Sequence, residues 1–142
     1  MRKLSNSSFT LIEIMIVVAV ILVLAFMVVP GMLRASATSN EVSAMANLRS
    51  LYSGLVMYSA NNNGVYPAQL SDMSSYISPA LASGEKSGYV FNYTCDSADE
   101  FHVNANPQIP GRTGGRYFYM DETNVIKYNE SGEAGEDDLS TE

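Results

Sequence analysis

The chain has 142 residues, enough for one domain, and a net charge of −7. An acidic balance argues against bulk nucleic-acid binding, which rests on neutralising phosphate. The lone cysteine, Cys95, excludes an intrachain disulfide and leaves the redox compartment unread.

The first eight residues, Met1 to Ser8, carry two basic side chains, Arg2 and Lys3. Beyond them, six Lys and Arg face 15 acids, a balance of −9 that suits a soluble head outside the cytoplasm. From Ile14 to Val29 there are 16 consecutive apolar residues. Three readings of this start compete. A removable secretory signal has a basic beginning, an apolar middle and a small-residue cut site, which Ala35-Ser36-Ala37 could supply. The apolar run, however, exceeds the usual ~7–15 residues of such signals, and Pro30 lies well ahead of that cut. A plain membrane anchor fits better. Phe9 to Val29 is 21 residues, and an α-helix of that length rises about 31 Å, against a hydrocarbon core of about 30 Å. Arg2 and Lys3 would stay cytoplasmic. That reading leaves Glu13 unexplained. A carboxylate in an apolar span costs on the order of 2–3 kcal/mol near the centre and less near an end, and such groups are usually functional and paired. Glu13 lies four residues after Phe9, roughly 6 Å along a helix, so a free amine created at Phe9 could neutralise it.

The third reading takes that up. Ser7-Ser8-Phe9-Thr10-Leu11-Ile12-Glu13, followed by the apolar run and Pro30, resembles the class III leader of type IV pilins and type II secretion pseudopilins. The resemblance implies a leader over residues 1–8, cut between Ser8 and Phe9 by a prepilin peptidase that also N-methylates Phe9. It implies that Glu13 is the assembly glutamate, meeting the terminal amine of a neighbouring subunit. Ser8 departs from the family's usual Gly; its side chain is small, and slower processing is the expectation. The implied partners are a homo-oligomeric filament, other pilins or pseudopilins, the prepilin peptidase and an inner-membrane assembly platform. The implied location is the bacterial inner membrane, single-pass, with the N-terminus cytoplasmic and the head periplasmic, and then the filament.

Pro30-Gly31 predicts a helix break, as a kink or a short melted stretch, because Pro lacks an N–H and disfavours helix at the preceding residue. Residues 31–60 then regain helical periodicity. Val42, Met45, Ala46, Leu48, Arg49, Tyr52, Leu55 and Val56 are read as the stripe facing the head; Asn40, Glu41, Ser43, Asn47, Ser50 and Ser53 take the wetter positions. One helix over residues 9–60 would be about 78 Å long; two helices hinged at Pro30-Gly31 are the alternative. Asn61-Asn62-Asn63-Gly64 stops it. Leu70 to Ile77 reads as a short helix or turn. Strand-like runs follow at Gly88–Thr94, Glu100–Ala105, Arg116–Met120 and Val125–Tyr128, joined by short loops that favour antiparallel hairpins. The fold class expected is α+β, a pilin-like long N-terminal helix packed on a small antiparallel β-sheet, with the head over residues 61–142. Residues 129–142 are acidic and apolar-poor and read as a mobile surface tail.

Enzyme signals are weak. The single histidine, His102, falls on the polar face of its strand, and no nucleophile motif accompanies it. Gly111 to Arg116 lacks the ending of a phosphate loop and precedes a strand, so it reads as a connector. Arg112 and Arg116 are weak candidates for DNA contact, set against the acidic body. Neither a catalytic group nor a cofactor is expected. Since major pseudopilins carry a calcium site in C-terminal loops, Asp121 and Glu122 are weak calcium candidates, with Glu130 and Glu136-Asp137-Asp138 beside them. No established ligand spacing is present, and a solvated acidic face is the preferred reading. The function expected is a structural filament subunit; the alternative is a monomeric membrane-anchored periplasmic binding domain, for which Glu13 would be dispensable.

Overall fold

The structure, a computed structural model, describes residues 9–141. The cut-site residue Ser8 lies outside the described residues, as do Arg2 and Lys3. By its contacts the chain divides into two units, Met1–Arg34 and Ala35–Glu142.

Helix α1 runs from Leu11 to Asn61 with Pro30 inside it. The melted stretch expected at Pro30-Gly31 is absent, since both residues are helical. Proline's fixed φ is compatible with a helix, and the local cost is one backbone hydrogen bond together with crowding of the ring against the carbonyl four residues earlier. The helix ends where the sequence predicts. Asn63 and Gly64 take φ of 58° and 84°, and the Gly64 N–H donates to the Ser59 carbonyl at 2.8 Å. Left-handed geometry of this kind suits Asn and Gly and closes the last turn.

In the second unit a six-stranded antiparallel meander follows, in chain order: β1 (Glu85–Lys86), β2 (Tyr89–Cys95), β3 (Phe101–Pro107), β4 (Tyr117–Asp121), β5 (Ile126–Asn129) and β6 (Leu139–Ser140). A 3-10 turn at Leu70–Met73 and a single helical turn, α2 (Pro79–Ala82), lie between α1 and the sheet. The four expected strands all form, each within a residue or two of its expected limits. In β3, Phe101, Val103 and Ala105 point into the core as the alternation requires. They meet Leu48, Leu51 and Leu55 of α1, with Tyr89, Phe91, Phe118 and Met120 from the flanking strands.

The buried face of α1 differs from the expected one. Glu41, Ala44, Asn47, Leu48, Leu51, Gly54 and Leu55 are buried, whereas Val42, Ala46, Arg49 and Val56 are exposed. Glu41 is the main surprise. One of its carboxylate oxygens accepts the Gly115 N–H at 2.8 Å; the other accepts Arg116 Nε at 2.8 Å. Asn40 adds a bond from Nδ2 to the Thr113 carbonyl at 2.9 Å. The loop before β4 is thereby clasped to α1, and a carboxylate expected in water is satisfied inside.

The C-terminal segment also departs from expectation. It folds back over the sheet's outer face. Asn104 donates to the Ala134 carbonyl at 2.7 Å, Lys127 Nζ donates to the Glu136 carbonyl at 2.6 Å, and Leu139 pairs with Tyr128 in the β5–β6 ladder. Acidic composition argued for mobility; the donors on the sheet's outer face supply partners for its backbone. Gly114 passes so close to the Tyr89 ring that a Cβ there would collide with it. The Tyr89 hydroxyl donates to the Arg116 carbonyl at 2.8 Å, and burial pushes that phenol well above its usual range.

Candidate assembly site

The start of α1 carries the residues that the sequence singled out. Thr10 and Glu13 form a reciprocal cap. Glu13 Oε2 accepts the Thr10 N–H at 2.7 Å and the Thr10 hydroxyl at 2.7 Å, while the Thr10 hydroxyl accepts the Glu13 N–H at 3.3 Å. This is the capping-box arrangement, a threonine at the N-cap and a glutamate three residues on, which satisfies N–H groups that the helix leaves without partners. Within one chain, Glu13 therefore already has a partner for one carboxylate oxygen. Phe9 is 79% exposed just ahead of it.

Beyond the cap, α1 presents apolar side chains on every side. From Ile14 to Val29 the large apolar residues are all about half exposed or more, up to Phe26 at 86%. Among the described residues, α1 is the helix long and apolar enough to cross a membrane. Ala19 and Ala25 leave shallow apolar notches, one flanked by Ile16 and Val23, the other by Leu22 and Val29. Small residues of this kind let helices approach closely in lipid, where packing replaces water exclusion as the driving force. Ala35-Ser36-Ala37, the alternative cut site, lies inside α1.

The head's candidate residues are put to other uses. One carboxylate oxygen of Asp121 accepts the Thr123 N–H at 3.0 Å and the Thr123 hydroxyl; the other lies 3.9 Å from Lys127 Nζ. Asp121 thus braces the β4–β5 turn, and Glu122 beside it is exposed. Among the described residues, no group of three or more His, Cys, Asp or Glu is placed to hold a metal ion. Arg116 is held by Glu41 and lies against the rings of Phe118 and Tyr128, at 5.6 and 5.5 Å. His102 Nδ1 sits 2.6 Å from Asp96 and its ring stacks on Tyr119. Cys95 ends β2, its thiol donating to the Ser97 carbonyl at 3.1 Å.

Residues 3–29 match the family described as the prokaryotic N-terminal methylation motif. The likeness extends beyond that motif. The chain is 31% identical to type II secretion system core protein G of Escherichia coli (strain K12) over 70% of its own length and 71% of that protein's. The chain belongs to the type IV pilin and type II secretion pseudopilin family. A second core protein G, from Aeromonas hydrophila, is 27% identical over 97% of this chain and 92% of the relative. The type IV major pilin protein PilA of Myxococcus xanthus (strain DK1622) is 34% identical over 59% of this chain and 36% of its own length. No solved structure gives a significant match. Membership of the pilin and pseudopilin family makes the chain a structural filament subunit, and the methylation motif with its apolar helix fits anchoring in the inner membrane.

Sequence reasoning missed Glu41. A signal was available, because Glu41, Ala44, Leu48, Leu51, Leu55 and Tyr58 recur at alternating three- and four-residue steps, as core positions of a helix do. The apolar residues at Val42 and Val56 drew the expected stripe toward the wrong side.

Proposed function

We propose that the chain is a pseudopilin of a type II secretion system, cut between Ser8 and Phe9 and methylated at Phe9. Residues 1–8 are the leader, the N-terminus faces the cytoplasm, and the head faces the periplasm. Glu13 sets the register in the filament. In lipid, an unpaired carboxylate and an unpaired amine are each costly, and pairing them between subunits offsets both. A shifted subunit would leave two charges unmatched. The Thr10 cap supports the same role from within the chain: it holds the carboxylate at the helix start, beside Phe9, until a neighbour arrives. The inner-membrane assembly platform is the partner that extracts the subunit.

The observation that carries the choice of system is coverage. The likeness to core protein G runs through the head to 97% of the chain, whereas the likeness to the pilin covers 59%. The lone cysteine agrees, since it removes the C-terminal disulfide loop of many pilins. Deleting the gene tests this reading. A pseudopilin predicts that the proteins exported by the system accumulate in the periplasm while surface pili persist. Loss of surface pili with secretion intact would make the chain a type IV pilin instead.

A further inference from the structure

Within the second unit, β3 runs against the direction of α1. Its first residue, Phe101, has its ring 6.4 Å from that of Tyr52. Its last, Pro107, pairs with Tyr89, and Gly88 beside that pair packs against Asn40 and Thr113. The loop that follows β3, residues 108–116, therefore lies at the end of this unit where α1 enters it.

This loop is held in one shape. The Arg112 and Thr113 N–H groups both donate to the Ile109 carbonyl, at 3.0 and 2.9 Å, and the Gly111 N–H donates to the Gly114 carbonyl at 2.8 Å. The Ile109 N–H donates to the Thr113 hydroxyl at 3.0 Å. Asn40 and Glu41 clasp Thr113 and Gly115 from α1. On that frame Ile109 stands 49% exposed, with Pro110 and Arg112 exposed beside it. A single exposed isoleucine is ordinary on a protein surface; the placement of this one sets it apart.

Seven residues separate Leu33, the last large apolar residue after the span, from Asn40, which holds the loop. As helix they rise about 10 Å. The headgroup layer extends roughly 5–7 Å beyond the hydrocarbon on each side of a bilayer. The loop is thus tethered within reach of that layer. An apolar side chain with a cation beside it suits such a boundary, where the first meets the acyl edge and the second meets phosphate. Charge narrows the choice of contact further. Beyond residue 8 the chain carries −9, so an anionic surface repels most of it. Arg112 has no acidic partner among the described residues. The acids that approach this end are engaged: Glu41 with Arg116, Glu85 with Gln108 and Glu133 with Asn106.

We propose that the Ile109–Arg112 loop docks on the anionic surface of the bilayer that anchors α1, with Ile109 entering the headgroup layer and Arg112 against lipid phosphate. The docked loop fixes which side of the head faces the membrane before assembly, and extraction into a filament breaks the contact. This docking presupposes the membrane anchor and holds for pseudopilin and pilin alike.

The test uses the full-length chain reconstituted in vesicles of mixed phosphatidylcholine and phosphatidylglycerol. In a Cys95→Ser background, a polarity-sensitive fluorophore is placed at Ile109→Cys, or at Val125→Cys on the opposite end of the head as control. Lipids carrying a quencher near the headgroup quench the probe at 109 and leave the one at 125 bright. Adding Arg112→Glu, or omitting phosphatidylglycerol, lowers the ratio of quenched to unquenched probe at 109 about fivefold or more, as the loss of one basic contact with an anionic surface requires. Equal quenching at 109 and 125 overturns the docking and leaves the anchor intact. A shift at 109 that grows with the number of chains per vesicle, without lipid quenching, also overturns it and makes the loop a contact between copies. A chain that does not float with the vesicles overturns the anchor as well.

Discussion

Replacing Glu13 with alanine leaves the chain in the membrane and lowers filament yield by at least about a hundredfold. The span remains apolar enough to insert, and removing a carboxylate makes insertion easier. What is lost is the partner for the terminal amine of a neighbour. A buried charge left unmatched costs about 3 kcal/mol, and about 2.7 kcal/mol is a hundredfold in an equilibrium. The Thr10 cap makes the comparison with Glu13→Gln informative. Glutamine can reach back to the Thr10 N–H as glutamate does, since either residue serves in a capping box, but it carries no charge. The register account requires Gln to fail as Ala does. If Glu13→Gln assembles normally, the essential function is the intrachain cap at Thr10, and pairing between subunits falls. Sheared-filament yield, normalised to the chain present in the membrane fraction, reads both variants.

Phe101→Ala destabilises the head by about 3–5 kcal/mol, the usual cost of emptying a core aromatic site. Phe101 is 1% exposed and is the hub of an aromatic cluster. Its ring lies 4.7 Å from Tyr66, 6.0 Å from Tyr93 and 6.4 Å from Tyr52. It thereby joins β3 to β2, to the segment after α1 and to α1 itself. A loss of that size removes much of the ~5–15 kcal/mol available to a typical domain. Val125→Ala, at a position 37% exposed, is the control and shifts stability by no more than about 0.5 kcal/mol. Denaturant unfolding of the detergent-solubilised full chain, followed by the near-ultraviolet tyrosine signal, measures both. A Phe101→Ala loss under about 1 kcal/mol contradicts the placement of this ring at the centre of the core.

Much of this architecture is legible in the sequence because its main signals are local. The apolar run, the Asn-Asn-Asn-Gly stop and the four strand-like runs each depend on a few adjacent residues, and each appears where it was expected. The departures in the head depend on distant partners or on runs too short to read. β1 and β6 are two residues long, too short to carry a period. The C-terminal segment is ordered by Asn104 and Lys127, which precede their partners by 30 and 9 residues. Glu41 is buried because a loop 74 residues later supplies an N–H and a guanidinium. A polar side chain is read as wet unless its partner is known, and a single sequence does not announce that partner. The proposed assembly glutamate is legible for the opposite reason. An acid among apolar residues is costly in lipid whatever the rest of the fold does, so Glu13 stands out unaided.

The central claim is that the chain enters a filament through a matured N-terminus, and the most direct measurement is the N-terminal sequence and intact mass of the protein taken from its native membrane. The account predicts a chain beginning at Phe9 and carrying one added methyl group. A chain beginning at Met1, or one beginning at Thr38 after a cut behind Ala37, would contradict it.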